Sequence, residues 1–463
     1  MKPIPNQNPR ARICGRPAPF PLPAVLIAAF ITVLATAAPL AQSPFSVPMV
    51  VDTLSNGLTT ILVPYDTPGV VAYWTVVRAG SRNEIEPGRT GYAHLLEHLM
   101  FRGTEKYPAE KYNEAISLMG ADANAFTDED WTVYICTIPA AELPWMIEIQ
   151  ADRFQDLAYD EAGYVKETGA VLGEFNIGKS DPGTRLEEKL LETAFIQHTY
   201  GHTVMGYEND VRDMPEGIEY SRHFHDLYYC PNNCAVVITG DFSVEAAKKL
   251  IQKQYGDWER CDAPPAPDPE PVQEEPRRSD VKWPGSTNPR LAVAFKIPEF
   301  HLDDTDAPAL EIIQAIAFGP TSPFYQRWIE ERLRAQKIEA EAARLVDPHL
   351  FIITMTLIDP ADLEEARDDI LNTLKDLAAN PPSIEELAAV KRRLRYETAM
   401  RLETAGSVAY TLAQFYNLTG DPGSIYKYFT LLEQVMPEDI QRVAARYLIE
   451  NQSTTVTLVS EEG

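Results

Sequence analysis

His94 and His98 lie four residues apart with Glu97 between them, in the run His94-Leu95-Leu96-Glu97-His98. At 3.6 residues per turn the two imidazoles fall one turn apart on a single helical face, and Glu97 sits beside them. Two neutral imidazoles at that spacing suit Zn²⁺, and a carboxylate next to them, outside the coordination sphere, can take a proton from water. Hydrolysis is the chemistry implied. A chance match to this pattern arises on the order of once in a hundred chains of this length, so the competing reading is an amphipathic helix that happens to carry two histidines.

A catalytic zinc takes three protein ligands and keeps one position open, so His94 and His98 require a third. The helical pattern at 161–177 offers Glu167 and Glu174, seven residues apart and therefore on one face. Residue types alone leave that choice open. Val165, Leu172 and Phe175 recur at helical intervals in this stretch, and Gly163, Gly169 and Gly173 are expected to permit close packing against the motif helix.

The elements that must hold these residues are legible from periodicity. Val50–Thr53 and Leu58–Val63 flank Asn56-Gly57, the dipeptide of a tight hairpin. Val70–Val77 reads as an apolar strand covered on both faces. Leu95, Leu96, Leu99 and Met100 give the motif helix its buried side, and Gly103 and Pro108 close it. A helix at 109–119 and an alternating strand at 131–138 follow, then helices near 142–157, 161–177 and 215–228, and an apolar strand at 235–239. The segment 261–280, rich in proline and acid, is expected to be a linker. Beyond it come strands at 291–297, 350–357 and 454–459 and helices at 306–318, 361–379, 383–403, 405–417 and 437–448. Ser383 and Glu386 form a capping-box pattern there. The order repeats that of the first half, which suggests two copies of one α+β unit. Where the metal helix would recur the chain reads Ala309-Leu-Glu-Ile-Ile, so only the first half can bind metal.

The bulk composition narrows the partners. The 463 residues carry a formal net charge of −27. Residues 1–41 hold four basic side chains and no acid, then an apolar run from Ala24 to Ala38 and small residues at 35–41, which reads as an export signal and not a membrane span. Without it, 37 basic side chains face 68 acidic ones, a net of −31. Such a chain repels nucleic acid and anionic membranes and favours cationic ligands. The expected location is periplasmic or secreted. Cys230 and Cys234 bracket Pro231-Asn232-Asn233, and in an oxidising compartment they are a candidate pair, against two separate packed thiols.

His94-Leu-Leu-Glu97-His98 is the inverted form of the zinc motif H-E-x-x-H, and with it the chain resembles the pitrilysin and mitochondrial processing peptidase family of metallopeptidases. Gly80-Ser81-Arg82-Asn83-Glu84, Phe101-Arg102-Gly103-Thr104, Asn124-Ala125-Phe126-Thr127 and Tyr229-Cys230-Pro231-Asn232-Asn233 running into Gly240-Asp241-Phe242 are similar to family signatures in family order. The resemblance covers roughly residues 48 to 460. It implies an α+β fold of two tandem homologous α/β-roll domains, each a mixed, mainly antiparallel sheet covered by helices. The domains would be a zinc-bearing one at 44–260 and, after the linker, one of the same fold without metal ligands at 281–463.

The same resemblance implies the roles. By family spacing the third zinc ligand is Glu174, and Glu167 is a second acidic position that supports the site without binding metal. Glu97 is then the proton acceptor in peptide hydrolysis, with one zinc per chain. The strand of Asn124–Thr127 is an edge that an extended peptide joins, which makes Asn124 and Ala125 the substrate-contact candidates. His198 and His202, also four apart, fall in a glycine-containing loop and read as structural. Fully competent family members also use an arginine and a tyrosine of the second-type half, near a pattern like small-Ser-Arg-Leu-Tyr-Gln and Gly-Leu-Ala-Tyr. Here Pro323 and Gln336 stand at those places. The implied protein is the zinc-bearing subunit of a heterodimeric endopeptidase acting on unfolded, preferably basic peptides, whose partner supplies the missing pair. The competing function is a non-catalytic structural subunit of a larger assembly.

Overall fold

The structure is a computed structural model and describes residues 48–461; the export segment inferred for residues 1–41 lies outside them. Among the described residues no helix is long and apolar enough to cross a membrane. The first sheet contains β1 (Val50–Thr53), β2 (Thr59–Pro64), β3 (Val70–Val77), β4 (Asp122–Thr127), β5 (Thr132–Pro139) and β6 (Cys234–Gly240) in the order β1-β2-β6-β3-β5-β4. The second contains β7 (Arg277–Trp283), β8 (Arg290–Ile297), β9 (Ala335–Ala342), β10 (His349–Leu357) and β11 (Ser453–Ser460) in the order β7-β11-β8-β10-β9. Each sheet has one parallel pair, β2 with β6 and β7 with β11, and is otherwise antiparallel. Apart from the extra strand β1, the two sheets share one topology. The repeat read from element order is therefore a repeat of fold, and the helix Asp306–Phe318 of the second half answers to the motif helix Tyr92–Met100 of the first.

Local chemistry explains the frame. Gly57 turns the β1–β2 hairpin at φ 95°, and Asn56 fastens that turn by donating to the carbonyls of Tyr255 and Trp258 at 2.7 and 3.0 Å. Seven of the eight residues of β3 are buried. Val71, Tyr73 and Val77 join the core beneath the motif helix, and Ala72, Trp74 and Val76 join the core of the second half. That two-sided burial is what a continuous apolar run demands.

The halves exchange helices. Leu186, Leu190 and Leu191 of the helix Pro182–Ala194 pack on Val281, Ala292, Val456 and Leu458 of the second sheet. In return, Val408, Ala409 and Leu412 of the helix Ala405–Thr419 sit in one core with Ala72, Trp74 and Val237 of the first sheet. Neither sheet is covered by its own half alone. The proline-rich segment is also fastened: residues 261–276 carry no regular element, the next four open β7, and Glu270 accepts the backbone N–H groups of Ile196, Gln197 and His198, each at 3.0 Å.

Cys230 does not pair with Cys234. Its partner is Cys261, 31 residues on, at a Cα separation of 5.8 Å, while Cys234 opens β6 as a buried free thiol. Asn232 fixes that partner by donating to and accepting from the backbone of Cys261 at 3.1 Å. Cross-linking restricts the unfolded chain, so Cys261→Ser is expected to lower unfolding free energy by about 2–4 kcal/mol, read by denaturant titration with and without reductant. The reductant should affect only the unsubstituted chain.

A polar junction ties the halves. Asp347, in the loop before β10, accepts from Arg82 at 2.5 Å and meets His198 at 3.1 Å; Asp130 accepts from Tyr200 and from the backbone of Val346 at 2.5 and 2.7 Å. Burial opposes ionisation of Asp347, but the bonds from His198 and Arg82 prevail and hold its carboxyl at about 2. A carboxyl depressed on folding stabilises above its unfolded pKa and loses that contribution as pH falls toward its folded one. Asp347→Asn should therefore cost about 1–2 kcal/mol at neutral pH, and the gap from wild type should close between pH 4 and 2 in unfolding curves.

Candidate metal centre

The motif helix has nine residues, of which six are buried; the other three are His94, Glu97 and His98, partly exposed on one stripe. Its start is set by Gly91 at φ 84°, where a side chain would meet the carbonyl oxygen of Met205 at 2.8 Å. Gly91 has no side chain to cap the helix. Glu84 does so instead, its carboxyl oxygens accepting from the N–H groups of Gly91 and Ala93 at 2.7 and 2.8 Å. Burial pushes its pKa up to about 8, against those two donors. The Gly80–Glu84 signature thus acts by anchoring the metal helix.

The helix Glu161–Gly178 packs beside it and brings up Glu174, the candidate third ligand. Glu174 Oε2 lies 3.5 Å from His94 Nε2 and 3.6 Å from His98 Nε2. A zinc with bonds of about 2.0–2.1 Å and tetrahedral angles separates its ligand atoms by about 3.4 Å. Both glutamate–histidine separations match that value, and the three ligand atoms all lie within 4.8 Å of one another, a set that could hold one zinc. Burial, with the neighbouring His98, pushes His94 down to about 4, which keeps it in the neutral form that can coordinate. Glu167 Oε2 lies 3.3 Å from His98 Nδ1 and its other oxygen pairs with Arg102. A carboxylate on Nδ1 fixes the tautomer that leaves Nε2 free for metal. Removing it in Glu167→Gln is expected to weaken zinc binding about 10- to 100-fold, measured by competition with a chromogenic chelator.

Glu97 Oε2 accepts a 2.6 Å hydrogen bond from Thr127 Oγ1, at the end of β4. Burial raises the Glu97 pKa, the Thr127 bond and His98 lower it, and Glu174 raises it, with a net upward shift. A raised carboxyl pKa suits a general base. β4 is an edge of its sheet, with β5 on one side only. Asn124 is exposed there, and its Oδ1 takes the N–H of Ala125 at 2.9 Å, a local bond that shields an edge donor.

His94, Glu97, His98, Glu167 and Glu174 thus gather in one place, and Asn124 and Ala125 lie on the adjoining edge. His198 and His202 stay away: each is 5% exposed, the first bound to Asp347 and the second, through Nδ1, to the carbonyl of Thr203 at 2.9 Å. Two expectations fail in part. Phe175 is buried and Leu172 packs on the core, but Val165 is exposed, and the buried face of this helix runs through Tyr164, Thr168, Val171 and Phe175. Gly169 and Gly173 have open space where a side chain would stand, so they do not serve close packing. Thr127 and Arg102 act at the site without having been singled out; both fall inside the quoted signatures. A second grouping among the described residues, His301, Asp304 and Asp306, is committed elsewhere, since Arg442 and Tyr447 hold Asp306.

Two family descriptions match the chain in succession: Insulinase (Peptidase family M16) over residues 60–208 and Peptidase M16 inactive domain over residues 218–394. The three residues that could hold a metal, His94, His98 and Glu174, all fall in the first. The zinc protease PqqE of Helicobacter pylori is 27% identical over 413 residues, which is 88% of this chain and 91% of that protein. The mitochondrial-processing peptidase subunit beta of Neurospora crassa is 32% identical over 168 residues, 35% of this chain and 34% of that one. The crystal structure of a protease from Helicobacter pylori aligns at 26% identity with a TM-score of 0.84, covering 90% of this chain and all of the other.

Proposed function

The chain belongs to the M16, pitrilysin-like family of peptidases, and from that membership we propose that it is a zinc-dependent endopeptidase cleaving extended or unfolded peptides. The observation that carries this reading is the convergence of His94, His98 and Glu174 on one point with the Glu97 carboxylate beside them. Zinc bound there supplies Lewis acidity, lowering the pKa of water to about 7 and polarising a carbonyl. Glu97, held by Thr127, accepts the proton of the attacking water and hands it to the leaving amine. The main chain of the substrate pairs with β4 at Asn124 and Ala125, giving affinity with little demand on sequence.

A second subunit of the same family completes the enzyme in this reading. What supports it is the state of the second half near the departures. Arg327 is bound to Asp369 at 2.9 to 3.1 Å, and Arg332 and Arg334 are bound to Glu365 at 2.7 and 2.6 Å. None of these is free to replace the arginine that Pro323 displaces. Gln336 accepts from Asn288 at 2.8 Å. Leu333 adopts φ 51°, the left-handed region that favours the glycine of the family pattern. The Cys230–Cys261 pairing supports an exported, oxidising location, and the charge of −27 supports basic peptides as substrates.

The test is cleavage of an unstructured basic peptide by the purified chain, alone and with a co-purifying family subunit. Zinc-dependent cleavage that the second subunit accelerates is expected. A chain that binds zinc but cleaves nothing in either state would favour the structural-subunit reading.

A further inference from the structure

The three candidate ligands lie in the first half, yet the loop between β9 and β10 of the second half ends on two of the segments that build their site. Asp347 Oδ2 accepts from Arg82 Nε at 2.5 Å and from His198 Nε2 at 3.1 Å. His198 Nδ1 takes the backbone N–H of Tyr200 at 3.1 Å, so in the neutral ring the proton is on Nε2 and points at Asp347. One residue earlier, the N–H of Val346 donates to Asp130 Oδ2 at 2.7 Å, and the Tyr200 hydroxyl donates to Asp130 Oδ1 at 2.5 Å. Asp130 is buried, and a buried carboxyl met in this way is held to one place.

Both anchors lead straight into the site. Arg82 stands two residues before Glu84, whose carboxyl caps the motif helix at Gly91 and Ala93, and the Arg82 carbonyl accepts from Thr199 Oγ1 at 2.6 Å. Asp130 stands three residues after Thr127, whose hydroxyl holds Glu97. The two segments also grip each other. The N–H groups of Ser81 and Arg82 donate to the carbonyls of Asp128 and Glu129 at 3.4 and 2.8 Å, and a side chain at Gly80 would collide with both carbonyls. A further path follows the first-half loop that starts at His198: its Tyr207 N–H donates to Thr90 Oγ1 at 2.8 Å, two residues before the motif helix begins. Loss of the Asp347 carboxylate would release Arg82 and His198 together, the one beside the cap of the motif helix and the other at the root of the loop that abuts it.

We propose that Asp347 is a positioning residue of the metal site, through which the half without ligands sets the placement of the motif helix and of Glu97. Its effect on cleavage rests on the reading of Glu97 as the base; its effect on metal affinity and on the backbone does not. Contact chains of this kind shift affinities by about 2- to 30-fold. A base displaced from its working position costs rate more than it costs substrate binding.

The test compares Asp347→Ala, Arg82→Met and the double variant with Arg442→Met, which breaks the ion pair to buried Asp306 inside the second half. Zinc affinity is read by competition with a chromogenic chelator. Amide hydrogen exchange over residues 80–93 and 122–132 is read by mass spectrometry on the metal-free protein, and kcat and KM are read with an unstructured basic peptide. Asp347→Ala is expected to weaken zinc binding and lower kcat by about 3- to 10-fold each, to change KM by less, and to speed exchange in both segments. Arg82→Met should do the same, and the double variant should be no worse than Arg82→Met alone, because both substitutions break one link. Arg442→Met should leave all three readouts unchanged. Asp347→Asn serves if the alanine variant folds poorly, as judged by its thermal midpoint, and should move the readouts in the same direction by less. A lowered thermal midpoint with zinc affinity, exchange and kcat all unmoved overturns the proposal, as does an equal response to Arg442→Met. Weakened zinc binding and faster exchange in a protein that cleaves nothing even when unsubstituted would uphold the positioning role and refute the peptidase reading; cleavage that Asp347→Ala leaves untouched, with the other readouts unmoved, would do the reverse.

Discussion

Glu97→Gln is expected to lower peptide cleavage by about 10³-fold while leaving one zinc per chain, because glutamine keeps the shape of the side chain but cannot accept the proton. The size of the effect follows from the placement of Glu97. Its carboxylate is mostly withdrawn from water, is oriented by Thr127 at 2.6 Å, and has its pKa raised chiefly by burial. No other acid stands in that position to substitute: Glu167 is engaged with His98 and Arg102, and Glu174 is directed at the two histidines. Cleavage rates together with metal analysis on the same preparation check the result. Thr127→Val, which keeps the carboxylate and removes its orienting donor, should fall between the two.

Glu174→Ala should abolish specific zinc binding and activity together. With two imidazoles left, the site lacks the third ligand that a catalytic zinc requires and the negative charge that offsets the ion. The measurement is a thermal or denaturant titration with added zinc. Zinc at about 1,000 times its Kd should stabilise the wild type by about 4 kcal/mol, and the variant by less than about 1 kcal/mol. His94→Ala should behave alike, and Glu97→Gln should keep the full zinc-dependent gain, which separates ligands from base.

The candidate metal set, which the structure brings together, was legible because its parts are local or fixed by spacing. His94, Glu97 and His98 share one turn of helix, and the family spacing selected Glu174 where residue chemistry left it level with Glu167. What escaped was tertiary. Thr127 reaches Glu97 from a strand 30 residues away. Ala335–Ala342 is Ala-Gln-Lys-Ile-Glu-Ala-Glu-Ala, a helix-forming composition, yet it is an edge strand because β10 pairs with it from Phe351 to Leu357. The helix Ser424–Gln434 was likewise not anticipated. The partner of Cys230 could not be read from spacing, since connectivity depends on which backbone segments meet. The exchange of helices between halves was hidden for a related reason: an apolar stripe says that a helix is covered, without saying by which sheet.

The central claim is that His94, His98 and Glu174 hold one zinc. X-ray absorption at the zinc edge on the metal-loaded protein, with Glu174→Ala beside it, measures this directly. The account predicts two imidazole nitrogens and carboxylate oxygen at about 2.0–2.1 Å, with the imidazole signature lost from the variant. A zinc spectrum of thiolate or all-oxygen ligation, or one identical in the variant, would contradict it.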